Sequence, residues 1–157
     1  MSGDFGVVRM RLEKVLHSCA LKAETLAPEQ SLAEAARAIC RAETGAVLVD
    51  DGKLRGLVTA EDVLRTLVAA SAVDHAWNGP LRAALHRQLP LVTSGARIAE
   101  VVETMAAAGV QSLPVTAGDA TLVVNLTRLL QIQINSLHDE VQHLQTYIDA
   151  LHDAPND

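Results

Sequence analysis

The sequence predicts an α/β (α+β) chain in which two strand–helix–strand–strand–helix repeats share a core and a long helix follows them. Three observations carry that expectation. The chain is self-similar at a shift of 66 positions, which lays Leu32-Ala33-Glu34-Ala35 on Ile98-Ala99-Glu100-Val101 and Val47-Leu48-Val49 on Leu113-Pro114-Val115. In both copies short apolar strands alternate with stretches of helical periodicity. After the second copy, apolar residues recur at alternating spacings of four and three from Leu130 to Leu151. The same shift lays Gly52 on Gly118, Leu57-Val58-Thr59 on Val123-Val124-Asn125 and Val63-Leu64 on Leu129-Leu130, so apolar character keeps register where identity does not.

The elements follow in order. Residues 7–19 predict a leading helix with Leu12, Val15, Leu16 and Cys19 on one face. Thr25, Leu26 and Ala27 form a short extended piece ended by Pro28. Ser31 and Glu34 fit a capping box, in which each side chain accepts from the other residue's backbone N–H. The helix after them buries Leu32, Ala35, Ala36 and Ile39, and Gly45 suits a left-handed position beyond its end. Residues 46–49 are a strand, Asp50-Asp51-Gly52 a hairpin turn, and residues 54–58 the returning strand. Thr59 caps a helix running to about residue 70. In the second copy residues 97–108 are helical with Gly109 as the stop, residues 113–115 and 121–124 are strands, and the last helix starts near Leu126. Between the copies, Trp77-Asn78-Gly79-Pro80 marks a turn-rich linker. The expected division is a lead-in over 1–20, repeats over 21–70 and 83–130, a linker over 71–82, and a helix and tail over 131–157.

Bulk properties narrow the function classes. Of 157 residues 49% are apolar, enough for a sizeable core rather than a disordered chain. The net charge of −6 and the three aromatics Phe5, Trp77 and Tyr147 supply neither a basic face nor stacking platforms for nucleic acid. Cys19 and Cys40 form no metal-ligand spacing and are expected reduced and mostly buried, as in a cytoplasmic protein. No stretch approaches the roughly 20 apolar residues of a membrane helix, and no signal peptide opens the chain. His138, His143 and His152 lack the i, i+4 spacing of helical metal sites, so no metal is expected. No nucleophile–base pair or phosphate-cradling glycine loop is visible, so the chain is not expected to be an enzyme and needs no cofactor.

Gly56-Leu57-Val58-Thr59-Ala60-Glu61-Asp62 resembles the G-h-h-S/T-x-x-D segment of CBS (cystathionine β-synthase) domains, where h is apolar. Within a duplicated strand–helix–strand–strand–helix unit, the chain from about residue 8 to 133 resembles the paired arrangement known as a Bateman module. The resemblance implies clefts between the repeats that take adenine nucleotides (AMP, ADP or ATP) or other adenosyl ligands. It implies that Thr59 and Asp62 hold the ribose, and that Thr25, Leu26, Ala27, Gly45, Ala46 and Val47 form the base pocket. The chemistry agrees, because an ionised carboxylate has only acceptors and suits a ribose diol. Thr59 and Asp62 also make an adequate helix cap, and the two roles are compatible.

The second copy departs from the pattern. Asn125 stands on Thr59, Arg128 on Asp62 and Leu122 on Gly56. Arginine has no acceptor for a diol. Asn125 and Arg128 are therefore expected either as a second-site or phosphate contact or as solvated or structural residues.

The final helix carries a heptad with Ile134, Val141 and Ile148 at a and Leu130, Leu137, Leu144 and Leu151 at d. β-Branched residues at a with Leu at d favour a parallel two-stranded coil, so a homodimer is expected, formed through the repeat faces and this coil. The leading functional expectation is a regulatory adenosine-ligand sensor acting on an effector protein in trans, or on an output domain of a longer chain. The alternative is a ligand-free dimerisation module.

Overall fold

A computed structural model of the chain describes residues 9–85 and 89–155, apart from the side chains of Leu54 and Arg55. A 3-10 turn over Leu12–Lys14 and a one-turn helix α1 (Leu16–Cys19) lead into strand β1 (Ala20–Leu21). The first repeat consists of β2 (Thr25–Leu26), α2 (Leu32–Arg41), β3 (Ala46–Asp50), β4 (Leu54–Thr59) and α3 (Ala60–Ala69). Helix α4 (Val73–Asn78) and a second 3-10 turn (Leu81–Ala84) precede the second repeat. That repeat is β5 (Val92–Thr93), α5 (Ile98–Ala108), β6 (Ser112–Ala117), β7 (Ala120–Asn125) and α6 (Leu126–His152).

The strand ladders reproduce the shift read from the sequence. In the first repeat Ala46 pairs Thr59, Val47 pairs Val58, Leu48 pairs Leu57 and Val49 pairs Gly56. In the second Ser112 pairs Asn125, Leu113 pairs Val124, Pro114 pairs Val123 and Val115 pairs Leu122. Each hairpin carries a parallel strand on its outer side, giving the sheet orders β2-β3-β4 and β1-β7-β6-β5. The parallel ladders differ by one rung. Leu48 donates its N–H to the Glu24 carbonyl at 2.9 Å. Its counterpart Pro114 has no N–H, and the second ladder begins one residue later, at Val92 opposite Val115.

Side-chain alternation along β3 divides the first repeat between two packing faces. Val47 and Val49 enter a core with Leu32, Ile39, Val58 and Val63, whereas Ala46 and Leu48 meet Leu57 and Val123 in the seam between the sheets. The second repeat has its own core around Ile98, Val101, Met105, Leu113 and Leu129.

The segments ahead of the two repeats are exchanged. Leu12 and Cys19, which precede the first repeat, are buried in the core of the second. Trp77, Leu81, Ala84 and Leu85, which precede the second, pack into the core of the first. The backbone bonds correspond one for one. Leu12 donates to the Ala96 carbonyl (2.8 Å), Glu13 to Ser94 (2.8 Å), and Ile98 to Met10 (2.9 Å). Leu81 donates to Gln30 (2.7 Å), Arg82 to Pro28 (2.9 Å), and Leu32 to Gly79 (2.9 Å). Each repeat is thus completed by chain that precedes the other.

Several local expectations change. The leading segment is no single helix: Val15, at φ −124° and ψ 3°, interrupts it between the 3-10 turn and α1, and Val7 and Val8 lie outside the described residues. The stretch expected as a linker holds α4 and packs on the first core. Ser31 accepts from Glu34 N–H, but the Glu34 carboxylate instead accepts from the Gln30 side-chain amide N–H at 3.0 Å, while the Gln30 side-chain oxygen Oε1 takes Ala27 N–H at 2.8 Å. Cys40 is exposed rather than buried; Cys19 is buried, and that burial pushes its thiol pKa up, against smaller lowering by a backbone hydrogen bond and by Arg128.

The two core-facing helices end differently. α2 stops at Ala42 in extended conformation, and Gly45 takes the left-handed turn (φ 63°); α5 runs one position further by the repeat shift and turns directly over Gly109 (φ 65°).

Candidate functional site

Thr59 ends β4 and begins α3, so the turn places its side chain beside the first turn of the helix. The Asp62 carboxylate accepts through Oδ2 from both the Thr59 N–H and its hydroxyl, each at 2.9 Å. Thr59 Oγ1 in turn accepts from the Asp62 N–H at 3.4 Å, completing a reciprocal capping box. Both residues are half-buried. Asp62 Oδ1 takes no protein donor among the described residues. It is an acceptor held in a fixed direction by its partner oxygen. The neighbouring Glu61 is occupied by Arg65 at 2.6 Å.

A cleft of about 320 Å³ lies against this turn. The first repeat contributes Thr44, Gly45, Leu57 and residues 59–62. The opposite wall comes from the second repeat: Leu89, Gly109, Val110, Gln111, Ser112 and Asn125. Apolar side chains and exposed turn backbone on that wall can face a flat ring, while Asp62 offers an acceptor to hydroxyls.

The structure brings together only part of the set expected from sequence. Thr59, Asp62 and Gly45 share the cleft, and Asn125 joins them. Thr25, Leu26, Ala27, Ala46 and Val47 do not line it. β2 lies on the far side of β3 from β4, so Thr25 and Ala27 are exposed on the outer edge. Leu26 and Val47 are consumed by the first core, and Ala46 by the seam. The wall opposite Thr59 and Asp62 belongs to the other repeat. The signal that could have located it is the shift itself, which lays Thr44-Gly45 on Val110-Gln111. Two repeats packed across one seam set the Thr59–Asp62 turn of one against the helix-end loop of the other.

A second cleft, about 210 Å³, occupies the related position and is lined by Leu21, Glu43, Thr44, Ser112, Val123, Asn125, Thr127 and Arg128. Here the Asn125 side-chain oxygen Oδ1 accepts from Thr127 N–H at 2.9 Å and from Arg128 N–H at 3.4 Å. The helix start carries no acid. Arg128 is exposed and has no carboxylate within salt-bridge distance among the described residues.

α6 continues far beyond the second core. Leu129 is buried and Ile132 packs on that core, but from residue 141 to 155 every side chain is exposed. The heptad residues Ile134, Leu137, Val141, Leu144, Ile148 and Leu151 are each 46–62% exposed, so the helix does not fold its apolar stripe back on its own chain. On α3, Leu64 and Val68 are exposed as well (62% and 85%); the repeat shift lays them on Leu130 and Ile134. Among the described residues no helix is long and apolar enough to cross a membrane, and no three His, Cys, Asp or Glu side chains gather as a metal site.

Comparison with known proteins finds a domain-family match over part of the chain and likenesses of fold over most of it. Residues 20–69 match the CBS domain model. Among solved structures, a CBS-domain containing protein from Agrobacterium tumefaciens superposes with a TM-score of 0.68 at 16% identity, covering 79% of this chain and 99% of that one. A CBS domain pair/ACT domain protein from Thermotoga maritima gives 0.60 at 19% identity, over 82% and 99%. A candidate signal-transduction protein with CBS domains from Burkholderia ambifaria gives 0.68 at 18% identity, over 80% and 95%. No curated protein sequence matches.

Proposed function

We propose that this chain, a tandem CBS-domain protein, is a regulatory module that senses an adenine nucleotide or other adenosyl ligand between its repeats and signals through a homodimer. The observation that carries the reading is Asp62: Thr59 pins one carboxylate oxygen, and the other takes no donor among the described residues at the wall of a cleft built by both repeats. A free, oriented acceptor suits a ribose diol, and the wall of residues 109–112 suits the base. The signal-transduction description of the Burkholderia ambifaria neighbour points the same way.

Transmission has a physical route. Asn125 lines the cleft and also caps α6. A ligand that favours one arrangement of that cap biases the helix leading into the coil, provided the two arrangements differ in ligand affinity. The exposed pair Leu130/Ile134 belongs to the heptad stripe, the face a second copy would cover, and Leu64/Val68 are exposed at the corresponding positions of the first repeat. The effector acted upon is a separate protein or an output domain.

Thermal unfolding with adenosine, AMP, ADP and ATP tests the ligand reading, with Asp62→Asn as control. A ligand at 100 times its Kd stabilises by about 2.7 kcal/mol, or roughly 5–10 °C for a chain of this size, and Asp62→Asn removes the shift. A ligand-free dimerisation module is the second reading. The complete capping box favours it, because the box already gives Asp62 a structural task. Absence of any shift decides for that module.

A further inference from the structure

The two clefts lie side by side. Thr44, Ser112 and Asn125 stand on the walls of both. We infer that one phosphorylated nucleoside per chain lies across them, with its ribose on Asp62 and its phosphate on Arg128; this rests on the adenosyl-ligand reading of the first cleft.

The division of labour follows from donors and acceptors. Asp62 Oδ1 can accept from hydroxyls and would repel a phosphate. Arg128 carries only donors and cannot hold a diol, but its planar fork matches a phosphate. It is the one cationic side chain on either wall among the described residues. Glu43 shares its wall but is exposed, so water and salt screen it. Size agrees. Ligand pockets run from roughly 300 to 1,000 Å³. The second cleft, at about 210 Å³, falls below that range, and the first, at about 320 Å³, sits at its lower edge. Neighbouring clefts that share three wall residues suit one extended ligand better than two small ones. The replacement of the second carboxylate by Arg128 thus converts a duplicate site into the phosphate arm of the first.

Isothermal titration at low salt with adenosine, AMP and ATP, on the wild-type chain and on Arg128→Gln and Arg128→Lys, tests this. The expected result is one ligand per chain, with a nucleotide bound at least about ten-fold tighter than adenosine, as a charge-assisted contact supplies. Arg128→Gln should bring the nucleotide down to the adenosine level and leave adenosine binding unchanged, while Arg128→Lys keeps part of the preference. Arg128 is exposed, so unchanged melting of the free variants shows that they fold. Equal affinity for adenosine and nucleotides, a preference that survives Arg128→Gln, or two ligands per chain overturns the inference and leaves the sensor reading standing. Failure of adenosine and nucleotides alike to bind overturns both.

Discussion

In the first repeat, the helix after the hairpin starts at Thr59, carries Asp62 and stops at Ala69. In the second, it starts at Asn125, carries Arg128 and runs on to His152. The strand pairing behind these two helix starts is the same, rung for rung, from Ala46/Thr59 to Val49/Gly56 and from Ser112/Asn125 to Val115/Leu122. The hairpin scaffold has been kept while the side chains that face the clefts and the length of the helix behind them have diverged. Backbone pairing depends on apolar alternation, which many sequences satisfy. Cleft chemistry depends on single side chains, which one substitution changes from acceptor to donor.

The exchange of leading segments makes the two repeats mutually dependent, and the comparison is tested most severely there. Leu12 and Leu81 are both fully buried, each in the core of the repeat it does not precede. Leu12→Ala and Leu81→Ala should each destabilise the chain by about 2–5 kcal/mol. In urea both should lower the midpoint of one common transition. Separate transitions for the two variants would show that the repeats fold independently despite the exchange.

The next effect concerns the helix that grew. α3 ends with its repeat, whereas α6 projects an apolar heptad stripe into solvent. Replacing Leu137 and Leu144 with Ser should weaken the proposed dimer by about two orders of magnitude or more, since each change removes a leucine from the seam and buries a hydroxyl at a d position. Sedimentation velocity at micromolar concentration should show a dimer for the natural chain and a monomer for the variant. A monomer in both cases removes the coil from the proposed function.

The smallest effect compares the caps. Thr59→Ala and Asn125→Ala each remove an N-cap acceptor and should cost about 1 kcal/mol, within the 0.5–2 kcal/mol usual for such changes. Chemical denaturation resolves that difference. A cost near zero at Thr59 would mean that Asp62 holds its position without its capping partner, and the carboxylate would then be kept for something other than the helix.

Much of the fold was legible because periodicity reports local geometry. The shift of 66 placed both hairpins and all four helices of the repeats. The left-handed glycines at 45 and 109 could be read from residue type, since those backbone angles favour residues without a Cβ. Thr59 and Asp62 were legible because a cap is a short-range device. The chain also showed that Arg128 replaces the second carboxylate and that the last helix carries a heptad. Tertiary structure alone decided which repeat each leading segment completes. Leu12 read only as one apolar position on a leading helix and Leu81 only as part of a linker, and the core they enter depends on how the seam closes. It alone decided that Leu26 and Val47 face a core and that Gly109 and Gln111 face Asp62. A cleft wall is drawn from residues far apart in the chain, and their meeting is set by packing across the seam rather than by any local preference. The sequence determined the parts and the chemistry each can perform; the packing of one repeat against the other determined which parts face the same space.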